Sequence, residues 1–231
     1  MRVDNARAWR QARLSAALAT VFRGRLCDTL LQNRTAVKFD KDQTLYEIGD
    51  KQRTLFFIQR GFVKVGTITE SGDEVIYDIR KAGEVAGELC ASELPRADRA
   101  VAQEPTEVVP VPYEEILRTL QKKPDLLRQF IELLSGSLAD SYERVFRLAT
   151  DDLLHRLIKV LLQLAAKLGR PAGPIVEIPT YLTQEEIAQM VAARRERVST
   201  ALNRLRQRGL VQYSAGGHLL LDVKALENYR P

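Results

Sequence analysis

Two cysteines among 231 residues are too few for a disulfide-laced secreted scaffold, or for a cluster needing four thiolates from one chain. Two histidines leave little with which to build a zinc enzyme. Long apolar runs are missing too. Arg or Lys interrupts every stretch well before the roughly 18 consecutive apolar residues of a membrane span, so no membrane partner is expected. The chain has no glycine-lysine phosphate loop, no metal-ligand spacing and no paired Cys/His or Ser/His arrangement in a helix or strand context. Nothing in it asks for catalysis. What remains is globular, 45% apolar and 28% charged, enough for one large domain or two ordinary ones. A reduced, soluble, cytoplasmic protein is the expectation. The opening MRVDNARAWRQARLSAALATVF has the Arg and Ala content of a transit peptide, but Asp4 and the smooth amphipathic pattern favour an N-terminal helix.

Positive charge is concentrated rather than spread. The net charge is +5, and residues 193–208 (ARRERVSTALNRLRQR) hold six arginines (194, 195, 197, 204, 206 and 208) against Glu196 alone. That segment carries the whole excess. A solvated helix face would have this composition, and so would a polyanion-binding element; the flanking sequence has to choose between them.

Residues 36–112 read as strands. Gly49, Gly61, Gly72 and Gly83 recur every 11 or 12 residues, the punctuation of short strands joined by turns. Between them lie TLYEI, TLFFIQ, FVKVGTITE and VIYDI. Val63, Val65, Thr67 and Thr69 alternate with other residues, as do Val75, Tyr77 and Ile79, which gives each strand one face to bury. Glu70-Ser71-Gly72-Asp73 reads as a hairpin turn. The expected fold class is α+β, with an antiparallel, jelly-roll-like β-roll in an N-terminal domain of residues 1–112. Pro124-Asp125 then opens a long helix with Leu127, Phe130, Leu134, Leu138, Val145 and Leu148 on one side. A second copy of the chain is the natural cover for such a stripe, so residues 113–150 are expected to zip a homodimer. Thr150-Asp151-Asp152 resets the helix, and Gly169 stops the next one after Leu168.

Residues 151–231 form the last expected domain. RPAGPIVEIPTY (170–181) is loop and short strand. Thr183 with Glu186 is a capping box that fixes a helix start. Ile187, Val191, Val198, Leu202 and Leu205 supply a core in two helical segments broken near 191–193. LVQY and HLLL then flank Ser-Ala-Gly-Gly as a hairpin wing. Two short helices, a tight turn and a wing make a winged helix-turn-helix. With Ile187, Val198 and Leu202 turned inward, Arg194, Arg195, Glu196, Ser199, Thr200 and Asn203 are left for the major groove of double-stranded DNA. Arg195 suits guanine O6 and N7, and Glu196 suits a cytosine amino group. Ser199 and Thr200 suit phosphates or base edges; Arg204, Arg206 and Arg208 fall to backbone or solvent.

From about residue 18 to 222, the ordered series Gly49-Asp50, LFFIQRGFVKV, GEVAGEL, PRADRAVAQEPTEV and LTQEEIAQMVAARRERVSTAL resembles the Crp/Fnr family of bacterial transcription regulators. The resemblance implies a cyclic-nucleotide-binding-type roll, a dimer helix, a two-fold symmetric DNA site and contact with RNA polymerase. Arg195 and Glu196 match the family's base-reading pair. Thr200 stands where relatives commonly have Arg, Ala192 where a turn glycine is frequent, and Arg194 where Ser or Thr often begins the helix. Both of the last two departures are expected to weaken helix initiation.

For an effector, the resemblance points to Gly87, Glu88, Arg96 and Ser141. A cyclic nucleotide would meet a degraded pocket, because Ala97 lacks the family's hydroxyl and Asp98 adds a carboxylate; Arg99 would compensate if it pointed inward. Cyclic-nucleotide binding is therefore expected to be weak or lost. Cys90 reads as a buried inert thiol, with a redox role as the other reading, and His155 and His218 read as structural or solvated. The competing overall reading is a nucleotide-binding regulatory module that does not itself recognise DNA.

Overall fold

The computed structural model describes residues 30–91, 94–179 and 182–229; Cys27 and the expected N-terminal helix lie outside them. The chain divides into two compact units. One gathers the residues up to Ile68 with Tyr77–Tyr142, and the other gathers Thr69–Ile76 with Glu143 onward.

The first unit is built on strands, as the turn spacing predicts. β1 (Val37–Phe39), β8 (Thr106–Pro112), β3 (Thr54–Arg60) and β6 (Val85–Ala86) form one antiparallel sheet in that order. The second sheet runs β2 (Thr44–Tyr46), β7 (Arg99–Ala102), β4 (Phe62–Ile68), β5 (Glu74–Lys81). The apolar run in β3 is unbroken because both of its faces are covered. Phe56 and Ile58 join Leu45, Tyr46, Val63, Val65, Ala100 and Ala102 in one core cluster. Leu55 and Phe57 join Val85, Cys90, Val109 and Val111 in another, with Ile116 and Leu120 from α1 (Tyr113–Gln121). The expected alternation on β5 does not hold. Ile79 is buried as expected, but Ile76 is buried as well and Tyr77 is 39% exposed, and Arg80 also turns inward, where Asp78 and Glu88 meet its charge.

All four punctuating glycines adopt positive φ. The turn at 69–73 closes through Thr69 O accepting from Gly72 N and Asp73 O accepting from Thr69 N. A Cβ on Gly61 would strike Thr106 Oγ1 and lie 2.8 Å from the Pro105 carbonyl, whereas one on Gly72 would meet nothing within 4 Å.

The long helix, α2, spans Pro124–Thr150. Its apolar residues fall on two faces rather than one. Leu126 and Phe130 pack against the roll core, so Phe130 does not belong to the exposed stripe. That stripe is Leu127, Ile131, Leu134, Leu138, Val145 and Leu148, between 37% and 64% exposed, with Ser141 filling the gap at the same spacing. The register is a heptad seam of alternating three and four.

In the second unit, α3 (Leu153–Leu168) is capped by Asp152 and buries Leu154, Leu157, Ile158, Leu161, Leu164 and Leu168. α4 (Gln184–Val191) and α5 (Arg195–Gln207) pack on it and on each other. The wing, β11 (Val211–Tyr213) and β12 (Leu219–Leu221), is joined by β9 (Arg170–Ala172) and β10 (Ile175–Glu177) in one sheet of order β11-β12-β10-β9. The short helix α6 (Val223–Glu227) follows.

Gly61→Ala combines positive-φ strain with a backbone collision and is expected to cost at least about 2 kcal/mol. Gly72→Ala carries the strain alone, about 1 kcal/mol. Urea unfolding of the two variants checks this; equal losses would contradict the packing described at Gly61.

Candidate nucleic-acid interface and effector site

The start of α4 is built as the sequence predicts. Thr183 Oγ1 accepts from the Glu186 amide at 3.1 Å, and Glu186 Oε2 accepts from the Thr183 amide at 2.9 Å, so two first-turn donors are satisfied. The helix ends on Ala192, which takes the left-handed conformation with φ 50° and ψ 57°. That turn usually takes glycine, and alanine holds it at a cost of roughly 1–2 kcal/mol. The chain then reverses through Ala193 to Arg194, the N-cap of α5, whose side chain makes no capping hydrogen bond. In the first turn of α5 the Arg197 amide donates back to the Arg194 carbonyl at 3.1 Å, and this is the helix end where the backbone dipole favours negative charge.

Val198, Leu202 and Leu205 are fully buried against Ile187, Ala188 and Val191. At 3.6 residues per turn, burying that stripe presents the opposite one. Arg194, Arg195, Glu196, Thr200 and Asn203 are all exposed, with Ser199 half-buried beside them. Glu196, Thr200 and Asn203 lie on that opposite stripe with Ser199 at its edge, while Arg194 and Arg195, whose helical angles fall beside the buried residues, are exposed where they open the helix. Thr200 Oγ1 donates to the Glu196 carbonyl at 3.0 Å, which leaves its oxygen to accept. The later arginines are less free than expected. Arg206 lies 5.5 Å from the Tyr213 ring centre and donates to Asn203 Oδ1, while Arg208 lies 5.1 Å from the Tyr229 ring. These cation–π contacts tie the end of α5 to the wing and the C-terminal segment. The tyrosine that closes LVQY, just beyond the arginine run, was the available signal. His218 Nδ1 is 2.9 Å from Glu177 Oε1 and His155 Nδ1 is 3.0 Å from Asp152. Both histidines have structural partners.

In the roll, Arg96 is buried with its guanidinium 4.0 Å above the Tyr46 ring. It donates through Nη1 to the Gly87 carbonyl at 3.2 Å and through Nη2 to the Thr54 carbonyl at 2.5 Å. Tyr46 in turn donates to Asp98 Oδ2 at 2.8 Å. Glu88 is held by Arg80 at 2.7 Å, and Arg99 faces Glu47 at 3.2 Å rather than turning inward to help Arg96. Ser141 lies exposed on α2. Arg96 Nε, Arg99 Nε, Asp98 Oδ1 and Glu88 Oε2 are buried without a hydrogen-bond partner among the described residues.

The fit to a cyclic phosphate is poor. Its oxygens would compete with two carbonyls for Arg96, find no hydroxyl at Ala97, and add charge beside a carboxylate that is only 2% exposed. Burial, with Glu88 nearby, holds the Asp98 carboxyl above the usual aspartate range, against the opposing pull of Tyr46 and Arg96. Burial likewise raises the Cys90 thiol, which sits in the roll core as an inert hydrophobic group.

A winged helix-turn-helix presenting arginines, on a chain that also carries a cyclic-nucleotide-type roll, defines a DNA-binding transcription regulator with a sensor-type domain. Residues 155–229 match the Crp-like helix-turn-helix domain and residues 36–123 the cyclic nucleotide-binding domain. The global nitrogen regulator of Synechocystis sp. is 30% identical over 197 residues, covering 84% of this chain and 87% of that one. A CRP-like cAMP-activated global transcriptional regulator of Mycobacterium tuberculosis is 29% identical over 82% of this chain and 85% of its own. Among solved structures, FixK2 of Bradyrhizobium japonicum superposes with a TM-score of 0.73 at 18% identity, covering 86% of this chain and 98% of that one. A CRP/FNR-family transcriptional regulator of Thermus thermophilus gives 0.68 at 25% identity, over 84% and 97%. The chain belongs to the Crp/Fnr family of transcription regulators. No described helix is long and apolar enough to cross a membrane.

Because its folded-state carboxyl lies above the unfolded one, Asp98 contributes stability that is present at acid pH and lost as pH rises through the folded value. Asp98→Asn keeps an acceptor for Tyr46 and removes the buried charge. It is expected to be more stable than the wild type at pH 7, with the gap closing as the pH falls into the ordinary carboxylate range. Thermal melts of both proteins across that range test this; a gap that is constant or widens towards acid contradicts it.

Proposed function

We propose that the chain acts as a cytoplasmic homodimer that reads a two-fold symmetric DNA site and regulates transcription there, with contact to RNA polymerase and without enzymatic activity. The observation that carries this reading is the exposure of Arg194 and Arg195 at the start of α5 together with Glu196, Thr200 and Asn203 on the stripe opposite a fully buried one. Arg195 takes a guanine through O6 and N7 and Glu196 takes a cytosine amino group. A carboxylate is unfavourable beside phosphates, so Glu196 within this arginine-rich face favours base readout over plain charge neutralisation. Arg194, Ser199, Thr200 and Asn203 add phosphate and base-edge contacts. Thr200, shorter than the family's common Arg, contracts the reach of the helix at the outer end of each half-site.

Dimerisation is supported by the α2 seam. Six large apolar side chains at heptad spacing are exposed on a single chain, more than a solvated helix face normally leaves in water. Two copies paired along it can set two recognition helices about 34 Å apart, one turn of DNA. The roll is the regulatory domain, and its effector segment runs from Gly87 and Glu88 to Arg96, with Ser141 on α2 at the seam. Any event there that shifts α2 against its mate alters the spacing of the recognition helices.

Arg195→Ala is expected to lose about 1–3 kcal/mol on a selected DNA site and little on scrambled DNA. Mobility-shift titrations on both duplexes decide it; equal losses remove Arg195 from base readout. Leu138→Lys places an ammonium from each chain in the seam and is expected to give monomers in sedimentation. Their specific affinity should be at least about 100-fold weaker, through loss of the second contact. A dimeric Leu138→Lys protein with unchanged affinity would rule out the α2 interface.

A further inference from the structure

The buried charges around Arg96 are already balanced, Arg80 and Arg96 against Glu84 and Asp98, so an anion added there would leave the cluster net negative. Arg80 and Arg96 lie among Asp78, Glu84, Glu88 and Asp98, with Arg80, Glu84, Arg96 and Asp98 all buried, while Arg99 is paired with Glu47. Two buried carboxylates thus meet two buried guanidiniums, with the half-buried Asp78 and Glu88 beside Arg80. Both terminal nitrogens of Arg96 are already bonded to backbone carbonyls. The packing is close: a Cβ on Gly87 would lie 3.0 Å from both Arg96 Nη1 and the Thr54 carbonyl.

The unmatched atoms are of both kinds: among the described residues Asp98 Oδ1 and Glu88 Oε2 lack a donor, and Arg96 Nε and Arg99 Nε lack an acceptor. What opposes a phosphodiester here is therefore charge, not a shortage of donors. Desolvating it there adds like charge where little water screens it. Asp98 differs from the other carboxylates in being clamped, through Tyr46, against the very ring on which Arg96 stacks.

We infer that Asp98 is the specificity-determining residue of the roll, a built-in carboxylate that keeps cyclic phosphates away from Arg96. The inference rests on reading Gly87–Arg96 as the effector segment proposed above. Removing one negative charge, with the shape and the Tyr46 hydrogen bond kept, opens the site to the anion.

The test uses the full-length chain and cyclic AMP as the probe, in calorimetric titrations of the wild type and Asp98→Asn at pH 7.5 and of the wild type again near pH 5. The Asp98→Asn protein is expected to bind cyclic AMP at least about tenfold more tightly than the wild type, the equivalent of about one pKa unit of differential interaction. Acidification of the wild type should act in the same direction. The groups facing Asp98 are Tyr46, Arg96 and Glu88, with Arg80, Asp78 and Glu84 behind them; burial raises the Asp98 carboxyl, so it gains a proton sooner on acidification than an exposed aspartate does, and the cyclic phosphodiester stays ionised. If Asp98→Asn does not fold, the acidified wild type decides. Tight wild-type binding at pH 7.5 overturns the gate while leaving the effector segment in place. Failure of both the variant and the acidified protein to bind overturns the gate and the effector segment together.

Discussion

The surface proposed to face DNA depends on a steric constraint in α5. Val198, Leu202 and Leu205 have no exposed surface at all, and a helix that commits one stripe so completely has no freedom in where it puts the rest. Glu196, Thr200 and Asn203 are outside because the valine and leucines are inside, and Arg194 and Arg195 are outside because they open the helix. The capping box at Thr183, the left-handed turn at Ala192 and the support of α3 maintain that rotation by holding the two short helices at one fixed approach. The wing adds to it, since Tyr213 and Tyr229 lie against Arg206 and Arg208 and confine the far end of the helix. Positive charge at the near end is left unconfined, where the uncapped N-terminus adds its own partial charge.

The roll follows the opposite logic. Its charged groups are turned inward and engaged with one another, through Arg80 with Asp78 and Glu88, Arg96 with two carbonyls and Tyr46, and Tyr46 with Asp98. A buried network of this kind is costly to disturb, because each broken link strands a polar atom away from water. A roll of the cyclic-nucleotide type can therefore keep its framework while changing what it admits, through the residues next to its arginine.

Much of this is legible from local sequence. The four glycines mark turns because each adopts a backbone that other residues resist, and Thr183 with Glu186 marks a helix start because the two hydrogen bonds span only three residues. The DNA-facing row can be read because helical periodicity converts an inward list into an outward one. What escapes is non-local. Spacing alone groups Phe130 with the exposed stripe, since α2 carries two apolar faces and only the roll decides which of them it covers. On β5 Ile79 is buried as alternation expects, but Ile76 and Arg80 are buried too while Tyr77 is 39% exposed, and the inward partners of Arg80 are not contained in an alternation pattern. Tyr46 and Asp98 are 52 residues apart, and β9 and β10 pair with the wing across two intervening helices. Nothing near any of these residues in sequence announces the other.

Guanine-methylation interference on a duplex chosen by selection with the full-length chain tests the central claim most directly, since N7 methylation blocks the major-groove edge that an arginine reads. Interference is predicted at guanines in two symmetric half-sites, centred about 10 base pairs apart on one face of the duplex. Interference confined to one half-site, or binding indifferent to major-groove methylation, would contradict the assignment of Arg195 and its mate to paired grooves.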